Sequence, residues 1–177
     1  EHDLSKLPLG RTRLDGIPYD IFDNPLVPGD AHLVGLGGYG GFDGHRSTAL
    51  EIGSKADALF LLHTFVQERA WKPTAENAEP PVVFTYTAHY RDGSTVEVPI
   101  RYGRQVANWL QDEPADLPGA ELAWQAATGG GMNTVLYHML WPNPKPEIAI
   151  DKVSMSITEA GDRLGMGIVA GVTKAHK

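Results

Sequence analysis

With 177 residues, 42% of them hydrophobic and 21% charged, the chain has enough apolar material for a two-layer core and too much for stable disorder. A formal charge of −7 repels polyanions on average, so nucleic acid is not an expected partner. The lack of cysteine excludes a disulfide framework, a thiolate zinc site and thiol catalysis. No apolar run reaches the roughly 18 residues of a membrane helix, so no membrane insertion is expected. The chain opens Glu1-His2-Asp3, without an initiating methionine or a signal-peptide pattern, and reads as a processed protein or a piece of a longer one.

Glycine (20) and proline (13) are scattered rather than clustered, which suits short strands joined by turns. In chain order, strands are expected at residues 19–22, 31–36 and 48–52. Residues 56–66 (ADALFLLHTFV) are apolar on both faces. A helix satisfies their periodicity, but Gly53 ahead of them and the Phe60, Thr64, Phe65, Val66 content favour a strand covered on both sides. An irregular segment follows at 67–80, with a weak helix signal at 75–79.

Residues 81–90 place Val82, Phe84, Tyr86, Ala88 and Tyr90 on one face and Val83, Thr85, Thr87 and His89 on the other. Arg91-Asp92-Gly93-Ser94 supplies a turn, and residues 95–101 alternate again through Val96, Val98 and Ile100, which together predict a β-hairpin. A second weak helix signal lies at 106–111 and a second irregular segment at 111–119. Strands are then expected at 122–126, 132–141, 148–157 and 166–172, the second of them again apolar on both faces. Within 148–157 the apolar phase slips between Ile150 and Val153, which implies a bulge or a bend between sheets. About nine strands with scarcely any amphipathic helix predict an all-β fold, a two-sheet antiparallel sandwich of the jelly-roll kind. It is read as one domain over 1–177, its core at about 15–173.

No catalytic motif of a recognised pattern is present. Gly35-Leu36-Gly37-Gly38-Tyr39-Gly40 matches G-x-G-x-x-G, but Gly41-Phe42-Asp43-Gly44 after it cannot start the helix that a dinucleotide site needs. It reads instead as a mobile glycine-rich loop between strands. There is no G-x-S-x-G elbow. The histidines lack metal-ligand spacing, and His63 and His138 read as hydrogen-bonded core residues. An enzyme would need two acids and a histidine converging across strands, which spacing alone does not display. Among Asp15, Asp20, Asp23, Asn24 and Asp30, the aspartates Asp20, Asp23 and Asp30 are candidate oxygen ligands for a structural calcium, with turn formation as their other reading. No other cofactor is expected.

Aromatic placement points elsewhere. Trp71 lies in the polar 67–80 segment, and Tyr39 and Phe42 lie in the glycine-rich stretch, where no strand period demands a buried ring. Sugars stack flat C–H faces on such rings while polar side chains bond their hydroxyls. Asp43, His45, Arg46 and Arg69 flank the rings and suit that chemistry. The other reading is that each ring covers an end of the core. Trp109, Trp124 and Trp141 sit among apolar strand neighbours and are expected to pack there.

Several stretches also carry a resemblance. They are Glu51 to Thr64 (EIGSKADALFLLHT), Tyr86 to Ser94 (YTAHYRDGS), Asn108-Trp109, Leu117-Pro118-Gly119-Ala120 with Ala123-Trp124, and Val135-Leu136-Tyr137 leading to Trp141-Pro142-Asn143-Pro144. This order resembles a galactose-binding-domain-like β-sandwich module of large exported bacterial proteins, often attached to glycoside hydrolases and related polysaccharide-degrading enzymes. The resemblance covers roughly residues 15–173 and implies a non-catalytic carbohydrate-binding or accessory module. It implies an extracytoplasmic location, a neighbouring catalytic domain in the same polypeptide, and a polysaccharide or oligosaccharide ligand. The alternative is a structural domain that packs on the catalytic domain without binding sugar. Ligand residues vary within the family, so the site candidates remain Trp71, Tyr39, Phe42, Asp43, His45, Arg46 and Arg69, with no catalytic residue.

Overall fold

A computed structural model describes residues 4, 6–21, 34–39, 42–43, 46–72 and 79–175. Strands β1 (Gly10–Leu14) and β2 (Ile17–Ile21) form a hairpin whose turn residues, Asp15 and Gly16, both have positive φ. Short strands β3 (Val34–Leu36), β4 (Gly38–Tyr39) and β5 (Phe42–Asp43) precede β6 (Ser47–Ser54) and β7 (Ala58–Gln67). Then come β8 (Val82–Tyr90), β9 (Thr95–Arg101), β10 (Leu110–Gln111), β11 (Glu121–Ala127), β12 (Asn133–Pro142) and β13 (Ile150–Ile157). A single-turn helix, α1 (Glu159–Leu164), leads into β14 (Gly165–Ala175).

The fold is all-β, an antiparallel β-sandwich. A four-stranded sheet runs β6-β13-β8-β9, and a six-stranded sheet runs β10-β12-β7-β14-β3 with β11 on the other edge of β12. The main core lies between them. Leu59, Leu61 and Phe65 of β7 and Val135 and Tyr137 of β12 meet Phe84 and Tyr86 of β8 and Val153 and Met155 of β13. Removing each such side chain from water contributes about 1.5–3 kcal/mol.

The residues between these, Leu62 and Val66 of β7, Leu136 of β12 and Ile168 and Ala170 of β14, face the other way. There Leu14, Tyr19 and Ile21 of the β1–β2 hairpin, with Leu4 and Leu7, cover them in a second core. The six-stranded sheet is therefore the middle of three layers, and the double-faced apolarity of 56–66 and 132–141 has its cause.

Two hydroxyls on that middle sheet, Thr64 Oγ1 and Thr134 Oγ1, are buried without a hydrogen-bond partner among the described residues. Valine keeps their shape and removes an unpaired polar group. Thr64→Val and Thr134→Val should therefore raise stability by about 0.5–1.5 kcal/mol each. A lower urea midpoint in both variants would mean that each hydroxyl has a partner.

Local rules hold where the sequence was explicit. Gly93 takes φ 84°, Asp92 Oδ1 accepts from the Ser94 N–H at 2.9 Å, and the turn sets the β8–β9 register. The phase slip in β13 is a register shift between Ile150 and Lys152 against both neighbouring strands. At the Trp141-Pro142-Asn143-Pro144 corner, Asn143 is buried. Its Nδ2 donates to Ala56 O at 2.7 Å, and its Oδ1 accepts from the Tyr90 hydroxyl and from the Lys145 N–H. Trp141 packs half-buried against the main core.

Three expectations are corrected. Residues 106–111 are not helical: the Trp109 N–H donates to Phe65 O and its carbonyl accepts from the Val135 N–H, both at 2.8 Å. The segment thus wedges between β7 and β12 where those strands diverge, ending as β10. The glycine-rich stretch is not simply a loop, because Gly35 and Leu36 belong to β3 and pair with β14, while Gly38 and Tyr39 pair with Asp43 and Phe42. Helix α1 was not expected at all. Thr158 caps it by accepting from the Gly161 N–H at 2.9 Å, while its own N–H donates to Val83 O. The weak helix signal at 75–79 falls on residues outside those described, except Glu79.

Candidate functional site

Strand directions bring most of the sequence-selected residues to one end of the sandwich. Gln67, the last residue of β7, pairs with Gly165, the first of β14, and the Glu68 and Arg69 N–H groups both donate to Leu164 O of α1. Trp71 follows two residues later and is half-buried. Strand β3 runs antiparallel to β14 with Leu36 opposite Gly167, so the chain passes into β4 and β5 at this same end. Strand β13 ends here too, where the Ile157 N–H donates to Arg46 O.

The backbone of Tyr39, Phe42 and Asp43 and the residues Arg46, Arg69 and Trp71 thus share the end marked by α1. His45 lies outside the described residues. Arg46 extends to α1, its Nη1 2.8 Å from Asp162 Oδ2 with the guanidinium side chain 68% exposed. A pair so exposed orients the side chain more than it stabilises the fold. Trp109 and Trp124, expected to pack, do so half-buried against the second core. Of the calcium candidates, Asp20 is exposed on β2 directly across from Arg11, and Asp23 and Asp30 lie outside the described residues.

A second constellation lies on the outer face of the six-stranded sheet, where no sequence spacing announced it. His138 of β12 stands opposite Glu121 of β11 and is only 2% exposed. Its Nδ1 is 3.3 Å from the Tyr19 hydroxyl. Its Nε2 is 3.3 Å from Glu121 Oε2 and 3.8 Å from Asp15 Oδ2. The two carboxylate side chains are 60% and 70% exposed, so a buried imidazole edge meets solvent through a pair of acids. Burial, aided by the negative charge of Asp15, lifts the Tyr19 hydroxyl well above the usual phenol range, so it keeps its proton. Two acids and a histidine are thus brought near one another, Glu121 by strand register and Asp15 by the β1–β2 turn of the covering layer, but Asp15 at 3.8 Å stands beyond hydrogen-bond reach of the imidazole. Glu121 carried no sequence signal. Its partnership follows from the β11–β12 pairing alone.

His63 is the inner-face counterpart and is fully buried. Its Nε2 lies 2.8 Å from Gln105 O and its Nδ1 3.1 Å from the Tyr86 hydroxyl. A carbonyl only accepts, so Nε2 carries the proton and Nδ1 accepts from Tyr86. Burial lowers its pKa to about 4, against the opposing pull of the Gln105 carbonyl. His63 is the hydrogen-bonded core histidine that its setting in the sequence suggested.

No family model matches this chain, and no curated protein does. What bears on function is thus the geometry of the α1 end and of the outer sheet face. No helix among the described residues is long and apolar enough to cross a membrane.

Proposed function

We propose that this chain is a non-catalytic carbohydrate-binding module, a galactose-binding-domain-like jelly roll, working beside a catalytic domain of an extracytoplasmic polysaccharide-processing protein. The observation that carries the reading is the gathering at one sandwich end of Arg46, Arg69, the half-buried Trp71 and the β4–β5 hairpin. Irregular segments on a rigid β scaffold are where binding side chains concentrate, because the scaffold fixes their positions while the loops vary. An indole supplies a flat apolar face and guanidinium groups supply donors for hydroxyls, the combination that a pyranose requires. The resemblance of those sequence stretches to modules of this kind points to the same class of ligand.

Affinity electrophoresis through gels holding a panel of soluble polysaccharides tests the reading. Retardation by at least one of them is expected. Trp71→Ala should weaken it about tenfold, the loss of about 1.4 kcal/mol of binding energy. Its melting temperature should stay within about 2 °C of the parent, because Trp71 is half-buried at an end and not in a core. Unaltered mobility, or loss of the fold, would remove Trp71 from the site. Failure of the parent to bind any glycan would assign this end to packing on the neighbouring domain.

A further inference from the structure

We propose that Asp15, Glu121 and His138 form a site for a divalent transition-metal ion of the zinc class, separate from the sandwich end discussed above. One ligand atom from each residue lies within 4.8 Å of the other two. Zinc bonds to imidazole nitrogen and carboxylate oxygen are about 2.0–2.1 Å long, which sets neighbouring ligand atoms of a tetrahedron about 3.3 Å apart. The Glu121 Oε2 to His138 Nε2 distance is 3.3 Å, and the Asp15 Oδ2 distance of 3.8 Å closes by a small rotation of an exposed side chain. Because the Asp15 and Glu121 side chains are exposed, a water molecule is available as the fourth ligand. One imidazole with two carboxylates suits Zn²⁺, Co²⁺ or Mn²⁺, whereas Ca²⁺ and Mg²⁺ take oxygen ligands.

The surroundings of His138 point the same way. A metal-binding imidazole characteristically has its other nitrogen fixed by an outer partner, and Tyr19 stands at Nδ1 in that role. With the metal on Nε2, Nδ1 carries the proton and donates to the phenolic oxygen, which has lone pairs to accept it. Phe60, its ring centroid 5.6 Å from that of His138, walls the imidazole from the side. Charge favours a cation at this point. Without one, a single Nε2–H faces two carboxylate oxygens and bonds only one of them, which leaves the other within 4.8 Å of a like charge. A doubly charged ion satisfies both. The ligands also come preorganised: Glu121 and His138 are fixed opposite each other by strand register, and Asp15 by the tight turn between β1 and β2.

Titration calorimetry of the full chain with ZnCl₂ and CoCl₂ should find one ion per chain. Asp15→Asn and Glu121→Gln should each weaken binding at least tenfold, and the double variant about a hundredfold. Both side chains are exposed and asparagine tolerates positive φ, so these variants keep the fold, which circular dichroism checks. Histidine-ring NMR should show one imidazole shifted by Zn²⁺, with the signal absent in His138→Gln. Wild-type affinity in the folded double variant, or no saturable binding to the parent, would overturn the proposal. Because the site lies away from α1, its loss should leave polysaccharide retardation unchanged, so the two readings fail separately.

Discussion

On acidification from pH 7 to pH 4 the protein should lose about 3 kcal/mol of stability at one residue, His63. In the unfolded chain that imidazole takes up a proton near its ordinary value of 6.5. In the folded chain burial delays uptake to about 4. Between those values the unfolded state binds more protons, so folding is favoured at the upper end of the window and weakened steadily toward the lower. The slope from this group alone is about 1.4 kcal/mol per pH unit, flat above 6.5 and flat again below 4. Geometry explains the resistance to charging: protonated His63 would bury a positive charge in the main core and force the Tyr86 hydroxyl, its donor at Nδ1, to turn and accept instead. Urea midpoints from pH 7.5 to 3.5 measure the effect. His63→Gln should be less stable at pH 7 but should lose this part of the pH dependence. An identical slope in that variant would mean that other groups carry it.

Gly161→Ala should cost about 3 kcal/mol or more, against the usual expectation for a helix. Helix propensity alone assigns alanine an advantage over glycine of about 1 kcal/mol. Here a Cβ at 161 would stand 1.9 Å from Val83 O and 2.7 Å from its carbonyl carbon, both backbone atoms that cannot rotate away. Relief would have to move either α1 or the start of β8. Val83 O also receives the Thr158 N–H, so displacement would disrupt the contact that seats the helix on the sheet. The two contributions have opposite signs, which makes urea unfolding decisive. Glu159→Ala, an exposed position on the same helix, is the control and should stay within about 0.5 kcal/mol. A stabilised Gly161→Ala would show that α1 sits further from β8 than the structure places it.

Most strands were legible where side-chain alternation and turn chemistry agreed, although the β1–β2 hairpin around Asp15-Gly16 was missed: no strand was expected at 10–14, and β2 begins at Ile17 rather than Tyr19. The β8–β9 hairpin, the slip in β13 and the two double-faced strands β7 and β12 all followed from residue order. Two other failures differ in cause, and in the first of them non-local bonding overrides a local pattern. Val106, Trp109 and Leu110 fall at helical spacing, yet their segment completes its hydrogen bonding with Phe65 and Val135 across the wedge. Conversely, Glu159–Leu164 is too short for any period to show, and its signals were confined to its ends: the capping Thr158, the acids Glu159 and Asp162 in the first turn, Arg163 in the last, and Gly165 after it. The loop candidates could be chosen from residue type within two short segments, 39–46 and 69–71, although it took strand pairing to carry both to one end. The acid–histidine cluster could not, since Tyr19 and His138 are 119 positions apart and meet only after three layers have stacked.

Strand β14 carries a consequence for how the protein is made. It lies inside the six-stranded sheet, paired with β7 on one edge and β3 on the other, so neither of those edges finds its partner until residues 165–175 have left the ribosome. At about 5–20 residues per second, β7 waits several seconds after its own synthesis with the backbone N–H and C=O groups of that edge unpaired by β14. The polar turns around Arg91-Asp92-Gly93 and the early β1–β2 hairpin can form locally in that interval, but the sheet cannot close. Closure of the sheet therefore waits on β14, and chains stalled short of Gly165 present an open β edge to their neighbours.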